Sequence, residues 1–132
     1  MSEKVLIVDD EEDFLEIMAE RIRAHGMDVL TTTSAEEALK MVDLESYDAV
    51  IMDFMMPAID GFKALKLLKE KRPEIQIILL TGNVPEQKRI EAKQLGALDV
   101  IEKPADLKVL IKKIRNAKAR NPIQAQKSPP KK

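Results

Sequence analysis

The sequence predicts a doubly wound α/β domain, in which five helices cover both faces of a parallel five-stranded sheet. Uninterrupted short apolar segments are the first observation behind this fold class, because parallel strands buried on both faces are apolar throughout. The second is a helical pattern of apolar residues after each segment. The third is the length of 132 residues, which with 45% hydrophobic residues suits one domain around one core. Repeated strand–helix units imply right-handed crossovers.

Five segments are predicted to form the strands of this sheet. Four of them consist of apolar residues alone, whereas the second is weaker because it contains two threonines. The predicted strands are, in chain order, residues 5–8, 29–32, 49–52, 77–80 and 100–101.

Five helices are predicted between and after these strands. The second begins with Ser34 and Glu37, which form a capping-box pattern, and the third begins with Asp60 and Gly61, an N-cap and a turn. The fourth is predicted over about residues 85–95. The apolar residues that share a face in the other helices are Phe14, Met18 and Ile22; Ala35, Ala38, Leu39 and Val42; Leu65 and Leu68; and Leu107, Leu110, Ile111 and Ile114.

Residues 1–120 are predicted to form the folded domain, and residues 121–132 a flexible tail. The tail contains three prolines, three lysines and one aliphatic residue larger than alanine, so it has too little apolar surface to order itself. Because the chain ends soon after its last helix, we expect it to signal through the surface of the folded domain.

Charge is distributed unevenly along the chain. All 23 acidic residues lie within residues 1–106, whereas residues 107–132 contain nine basic residues and no acidic one. Few aromatic residues are present for base stacking, and no helix-turn-helix follows residue 118, so we expect no direct contact with nucleic acid. We interpret the basic side chains of the last helix as a solvated face that would suit an acidic protein partner. They are Lys108, Lys112, Lys113, Arg115 and Lys118.

Cysteine content and hydropathy limit where the protein resides. The absence of cysteine excludes a disulfide framework and a thiolate metal site. No apolar segment approaches the roughly 20 residues of a membrane-spanning helix, and the N-terminus lacks the apolar stretch of a signal peptide. We therefore expect a cytoplasmic protein without a membrane partner.

Polar residues of complementary chemistry follow the predicted strands. Asp9 and Asp10 follow the first strand, Asp53 the third, Thr81 the fourth and Lys103 the fifth, and sites of parallel α/β sheets form beyond these strand ends. Three carboxylates in one crevice repel one another unless a cation is present, and oxygen ligands without His or Cys favour magnesium. The ammonium and hydroxyl groups suit phosphoryl oxygens, so a carboxylate nucleophile would complete a site for aspartyl phosphate formation.

Structural roles compete with these functional ones. Taken alone, Asp9 and Asp10 fit the N-cap and first turn of a helix, and Thr81 fits a simple hydroxyl at a strand end. His25 stands next to Gly26 at a predicted helix end, which indicates a C-terminal cap rather than a phosphoacceptor or a metal ligand.

Four motifs resemble those of response-regulator receiver domains. They are Val8-Asp9-Asp10, Asp53-Phe54-Met55-Met56-Pro57-Ala58-Ile59-Asp60-Gly61, Leu80-Thr81-Gly82 and Glu102-Lys103-Pro104. Their order and their positions at strand ends make the joint match specific, and it covers roughly residues 3–118. The resemblance implies the flavodoxin-like receiver fold, with strand order 2-1-3-4-5.

The resemblance also implies the residues of a phosphorylation site. Asp53 would be the phosphoacceptor and a ligand of Mg²⁺, with Asp10 as a direct ligand. Asp9 would assist through water, and the backbone carbonyl of Met55 would complete the protein ligands.

Further residues would contact the phosphoryl group. The resemblance implies that Thr81 and Lys103 do so and that the bond between Lys103 and Pro104 is cis. Three positions depart from the commonest family pattern, because Val100 replaces a switch aromatic, Ala105 replaces a bulky residue and Gly82 stands where alanine is common. An aromatic switch is therefore not expected in this chain.

The function implied is a stand-alone phosphorylation switch. It would take a phosphoryl group from a histidine kinase or a phosphotransfer protein onto Asp53 and hydrolyse it slowly. A downstream protein would read the face formed by the fourth helix, the fifth strand and the fifth helix. The chain would catalyse only its own phosphorylation and dephosphorylation, so it is not classed as an enzyme, and we expect a monomer or a weak dimer.

Other functions remain as alternatives. The chain could be a protein-interaction module of a larger hybrid kinase, or a receiver that acts without phosphorylation. A haloacid-dehalogenase-like phosphatase would need a second acid two residues after its nucleophile, where this chain has Met55. A flavin or nucleotide binder would need a Gly- or hydroxyl-rich loop after the first strand, where residues 9–12 are all acidic.

Overall fold

A computed structural model describes residues 3–56, 59–83 and 85–120, with side chains described as far as residue 117. Five strands alternate with five helices along the chain, as the sequence predicts. The elements are β1 (Lys4–Val8), α1 (Glu12–Arg23), β2 (Asp28–Thr32), α2 (Ala35–Leu44), β3 (Ala49–Asp53), α3 (Gly61–Lys71), β4 (Gln76–Thr81), α4 (Glu86–Gln94), β5 (Ala97–Glu102) and α5 (Leu107–Arg120). The predicted tail, residues 121–132, lies outside the described residues, so the boundary at residue 120 stays a prediction.

The five strands form one parallel sheet in the order β2-β1-β3-β4-β5, which confirms the predicted fold class and strand order. β3 lies at the centre of the sheet, and all five of its residues are buried. The prediction for the fifth strand was too short, since β5 covers Ala97–Glu102 rather than residues 100–101. β5 is an edge strand with half-buried Leu98 and Asp99, so its sequence lacks the uninterrupted apolar segment of a central strand.

Two hydrophobic clusters pack against the two faces of the sheet. One lies between the sheet and α2, α3 and α4, and it includes Val50 and Met52 of β3. The other lies beneath α1 and α5, and it includes Ala49 and Ile51 of the same strand. Neighbouring residues of one strand therefore serve opposite cores, which explains why the strand is an uninterrupted apolar segment in the sequence.

The N-termini of α2 and α3 are capped by the side chains that the sequence predicts. Asp60 accepts the backbone N–H of Phe62 at 2.8 Å, and Ser34 Oγ accepts the N–H of Glu37 at 3.1 Å. The reciprocal half of the capping box was wrong, because the Glu37 carboxylate accepts a hydrogen bond from the Thr32 hydroxyl instead. The N–H of Ser34 donates to that same hydroxyl at 3.1 Å, so the end of β2 and the start of α2 are joined through Thr32.

The end of α1 agrees with the structural interpretation of His25. The backbone N–H of His25 donates to the Ile22 carbonyl at 3.0 Å, and Gly26 follows with a φ of 83°, a value that favours glycine. Among the described residues, no helix has the length and apolar character needed to cross a membrane.

Arginine side chains cover the backbone of both edge strands. Arg23 of α1 donates to the Val29 carbonyl of β2 at 2.8 Å. Arg89 of α4 donates to the Val100 carbonyl of β5, and the Asp99 carboxylate accepts the Val100 N–H at 2.8 Å. Exposed strand edges can pair with other chains, so these contacts satisfy backbone groups that would otherwise be free to do so.

We predict that Gly61→Ala lowers the free energy of unfolding by about 2 kcal/mol. A Cβ at Gly61 would lie 2.5 Å from the backbone oxygen of Phe54, so the loop after Asp53 would have to move. Chemical denaturation of the variant would measure this loss.

Gly82→Ala is the matched control for this substitution. No atom of the described residues lies within 4 Å of a Cβ at Gly82, so its free energy of unfolding should change by less than about 0.5 kcal/mol. Equal losses in the two variants would contradict the proposed clash.

Candidate functional site

Three carboxylates converge at the carboxyl edge of the sheet. Val8 of β1 pairs with Met52 of β3, so the residues that follow them, Asp9 and Asp53, lie side by side. Each of these carboxylates, together with that of Asp10, offers one oxygen atom within 4.8 Å of the other two. The structure therefore brings together the acidic residues that the sequence places at different strand ends.

The three carboxylates differ in their exposure. Asp9 is 1% exposed and Asp53 is 8% exposed, whereas Asp10 is exposed to solvent. Two of the charges thus lie where water solvates them poorly, and the third faces the side from which an ion or a reactant can approach.

Lys103 supplies the positive charge nearest to this cluster in the described chain. Its Nζ lies 2.9 Å from Asp9 Oδ2, 3.3 Å from Asp53 Oδ2 and 3.6 Å from the Glu11 carboxylate. Its backbone N–H donates to the Thr81 carbonyl at 2.7 Å, and its bond to Pro104 is cis, as predicted. The lysine therefore acts as an internal counter-cation for two buried carboxylates.

The pKa values of this ion pair reflect both burial and charge. Burial raises the pKa of Asp9, and the Asp53 charge adds to this effect, although the Glu11 N–H and Lys103 oppose it. Burial alone would lower the pKa of Lys103, but Asp9 and Asp53 outweigh it, so this pKa is raised. Lys103 is consequently charged at neutral pH.

Backbone N–H groups orient the two buried carboxylates in the same way. Asp9 Oδ1 accepts the N–H of Glu11 at 2.9 Å, and Asp53 Oδ1 accepts the N–H of Met55 at 2.9 Å. In each case the second oxygen, Oδ2, is the one that contacts Lys103. These short turns hold the carboxylates with one oxygen directed at the lysine. The Met55 side chain is 64% exposed, and a role for its carbonyl as a metal ligand stays a prediction.

Thr81 lies at the end of β4, next to the strand that ends in Asp53. The residue is 0% exposed, and its Oγ1 has no hydrogen-bond partner among the described residues. A buried hydroxyl without a partner costs about 1–3 kcal/mol, which a simple hydroxyl at a strand end could avoid by facing water. This observation favours the functional interpretation of Thr81 over the structural one.

Two residues near Lys103 were not predicted to belong to the site. The Phe14 ring centroid lies 4.3 Å from Lys103 Nζ, and the Glu11 carboxylate also approaches this ammonium. In the sequence, Phe14 belongs to the apolar stripe of the first helix. Its position directly after five acidic residues, Asp9 to Asp13, is the signal in the sequence that could have identified it.

The donor atoms of this crevice suit a divalent cation and a phosphoryl group. Carboxylate oxygens are the ligands that hard cations prefer, and the cluster contains no nitrogen or sulfur donor that would favour zinc. The ammonium of Lys103 and the buried hydroxyl of Thr81 are hydrogen-bond donors of the kind that bind phosphoryl oxygens.

Comparisons with known proteins agree with this geometry. The family model of the response regulator receiver domain matches residues 5–115. The alkaline phosphatase synthesis transcriptional regulatory protein PhoP of Bacillus subtilis is 31% identical over 128 residues, which cover 97% of this chain and 53% of PhoP. The response regulator SaeR of Staphylococcus epidermidis is 38% identical over 116 residues, which cover 88% of this chain and 50% of SaeR.

A solved structure shows the same likeness in three dimensions. The response regulator receiver domain protein from Clostridium thermocellum has a TM-score of 0.85 and 31% identity, with 93% of this chain and 98% of that chain covered. This chain spans about half the length of the curated relatives that it matches. It belongs to the response regulator receiver domain family, whose general function is a phosphorylation switch in two-component systems.

Proposed function

We propose that this chain is a phosphorylation switch in which Asp53 accepts a phosphoryl group from a histidine kinase or a phosphotransfer protein. Receiver domains of response regulators are phosphorylated by histidine kinases. The observation that carries the assignment to Asp53 is the convergence of its Oδ2 atom with the ammonium of Lys103, at a sheet edge that also holds the buried hydroxyl of Thr81. Asp9 also contacts Lys103 within this cluster, but it follows β1, whereas Asp53 ends β3, the strand that pairs with β4 and its Thr81.

The proposed reaction is an in-line phosphoryl transfer. Asp53 Oδ2 forms a bond to phosphorus while the bond from phosphorus to the donor's imidazole nitrogen breaks, and the leaving imidazole takes up a proton. The N–H donors of Lys103 move from the carboxylates to the phosphoryl oxygens, and Thr81 Oγ1 donates to another of these oxygens. Negative charge on the transferred group is thereby matched by donors already held at the strand ends.

We propose Mg²⁺ as the metal of this site. Receiver domains bind a divalent metal at an acidic pocket. Here Asp10 and Asp53 would bind the ion directly, Asp9 would assist through water, and the Met55 carbonyl would complete the protein ligands. The ion would neutralise the carboxylates and the charge that develops on the phosphoryl group. An oxygen-only donor set with one solvent-facing carboxylate suits magnesium, which retains several waters.

The weak attachment of α4 supports the proposed output face. Among the described residues of α4, Ala92 is the one that is buried, whereas α1 buries four residues. Polar contacts hold the helix to β5 instead, through the Arg89 guanidinium on the Val100 carbonyl and through Lys93 Nζ, 3.6 Å from the Asp99 carboxylate. Displacing such a helix costs little apolar burial, so small changes at the end of β4 can move it.

α5 contributes the second part of the proposed face. Lys113 Nζ lies 2.5 Å from Asp99 Oδ2, so the interpretation of all basic side chains of α5 as a solvated face was wrong for Lys113. The cause is the half-buried Asp99 carboxylate, whose pKa is lowered because Lys113, the Val100 N–H and Lys93 together outweigh its burial. Lys108, Lys112 and Arg115 are exposed and remain available to an acidic partner, and the Lys118 side chain lies outside the described part.

The wider context of this chain stays a prediction. It spans about half of each curated relative, and PhoP is named as a transcriptional regulatory protein. A stand-alone monomer or weak dimer, a cytoplasmic location and no direct contact with nucleic acid stay our predictions for this chain.

We predict that Asp53 is the sole acceptor of phosphate from acetyl phosphate in the presence of Mg²⁺. Mass spectrometry should find one added phosphoryl group on the wild type and none on Asp53→Asn, because the variant lacks the nucleophilic oxygen. Asp60→Asn is the matched control, since asparagine also caps a helix and Asp60 lies outside the cluster. Labelling of Asp53→Asn at the wild-type level would refute the assignment.

We predict that Mg²⁺ raises the melting temperature, because its binding to the native state relieves repulsion among the three carboxylates. At a concentration about 100 times the dissociation constant, the gain would be about 2.7 kcal/mol. Asp10→Asn should need more Mg²⁺ for the same gain, whereas Glu12→Gln should behave as the wild type, because it removes an exposed charge outside the cluster. A wild-type melting temperature that is indifferent to millimolar Mg²⁺ would show the metal site to be wrong.

We predict that phosphorylation changes the α4, β5 and α5 surface more than the α2 surface. Heteronuclear NMR of the protein with acetyl phosphate and Mg²⁺ should therefore show the larger amide shifts around Arg89 and Asp99, whose polar contacts hold α4. The same titration of Asp53→Asn separates phosphorylation from the effect of the metal. Shifts confined to the residues around the crevice would argue against this output face.

A further inference from the structure

The aromatic ring of Phe14 is the unexpected neighbour of the site lysine. Phe14 lies in the first turns of α1, and Lys103 follows β5, so the two residues are brought together only by the fold. The ammonium nitrogen lies 4.3 Å from the ring centroid, well within the roughly 6 Å over which the face of an aromatic ring attracts a cation.

The contacts of Lys103 divide into two kinds. Its hydrogen bonds to Asp9 and Asp53 are directional, and each occupies an N–H donor. The attraction to Phe14 depends on the ring quadrupole and leaves the N–H donors of the ammonium available for hydrogen bonds. A lysine has four rotatable methylene groups, so without a second contact its ammonium would be free to leave the crevice once the carboxylates bound another cation.

We propose that Phe14 is a positioning residue, whose ring keeps the Lys103 ammonium over the crevice with its N–H donors free for the phosphoryl group. The inference rests on the proposed phosphorylation of Asp53 and adds a residue to it. During the reaction, the carboxylates pass from the lysine to the metal, and the ring remains as the contact that does not change. Phe14 thus acts through Lys103 and does not touch the phosphoryl group.

A purely structural role for Phe14 is the competing explanation. The ring is half-buried and also borders a shallow groove of about 170 Å³ with Ile17, Pro104 and Ala105. If packing were its only role, any apolar side chain of similar size would serve, and an aromatic replacement would have no advantage over leucine.

NMR of the unphosphorylated wild type tests the contact itself. Protons on Cε of Lys103 should resonate upfield of those of the exposed Lys112, because the ammonium that Cε carries lies over the face of the ring. Lys4, whose Nζ is 5.4 Å from the Tyr47 ring centroid, provides a weaker internal comparison. The Lys103 shift should vanish in Phe14→Leu, return in Phe14→Tyr, and persist in the wild type when Mg²⁺ is added. Lys103 signals at the position of Lys112 in the wild type would overturn the proposal without any phosphorylation assay.

The rate of phosphorylation by acetyl phosphate tests the consequence. At saturating Mg²⁺ we expect Phe14→Leu to be slower by about fivefold, the factor that corresponds to a moderate cation–π attraction. Phe14→Tyr should restore the rate to within about twofold of the wild type, since tyrosine retains the ring face. The Mg²⁺ concentration that gives half of the maximal rate should be unchanged, because Phe14 holds no metal ligand.

Ile17→Ala is the control for disturbance of the groove. Ile17 is 53% exposed on the same helix, so its truncation alters the groove and leaves the ring in place, and the rate should stay at the wild-type value. A wild-type rate in Phe14→Leu, or a failure of Phe14→Tyr to restore the rate, would overturn the positioning role. Absence of phosphorylation in the wild type would instead refute the proposed function, and the NMR comparison would still decide the contact.

Discussion

The burial of two neighbouring carboxylates beside a third is the constraint on which the rest of this structure depends. Asp9 and Asp53 are almost fully buried at adjacent strand ends, and an uncompensated pair of this kind would cost several kcal/mol. The ammonium of Lys103 lies within 3.3 Å of both and balances them. The loop after β5 therefore has to return across the sheet edge, and the turns after β1 and β3 have to hold each carboxylate by a backbone N–H.

The same arrangement makes the crevice responsive to a ligand. Lys103 is charged but shared between two acids, and the Thr81 hydroxyl is buried without a partner among the described residues. A cation would neutralise the two acids, and a phosphoryl group would accept hydrogen bonds from Lys103 and Thr81. β4 carries Thr81 and lies beside β5, to which α4 is held mainly by polar contacts. Free energy released by ligand binding in the crevice can thus displace α4, because its displacement costs little apolar burial.

Particular elements show why the sequence pattern did not predict every part of the fold. The central strand β3 is buried on both faces, and its uninterrupted apolar residues predict it almost to the residue. β5 is an edge strand whose apolar residues are interrupted by Asp99, which accepts the Val100 N–H and pairs with Lys113, so the residues before Val100 were missed. The capping box at α2 is incomplete because Thr32, at the end of the preceding strand, binds Glu37. In both cases the deciding contact comes from a side chain of another element. Lys113 of α5 pairs with Asp99 of β5, and Thr32 of β2 binds Glu37 of α2.

The strand–helix order and the acids, hydroxyl and lysine of the site follow from local sequence, because parallel strands bring their carboxyl ends to one edge whatever the details of packing. The burial, ion pairing and orientation of these side chains do not follow from local sequence. The contact of Phe14 with Lys103, the ion pair of Lys113 with Asp99 and the complete burial of Thr81 each depend on residues from separate elements. Such contacts are decided only when helices settle on the sheet, since the strength of an ionic or aromatic interaction depends on distances and solvent exposure that no local pattern contains.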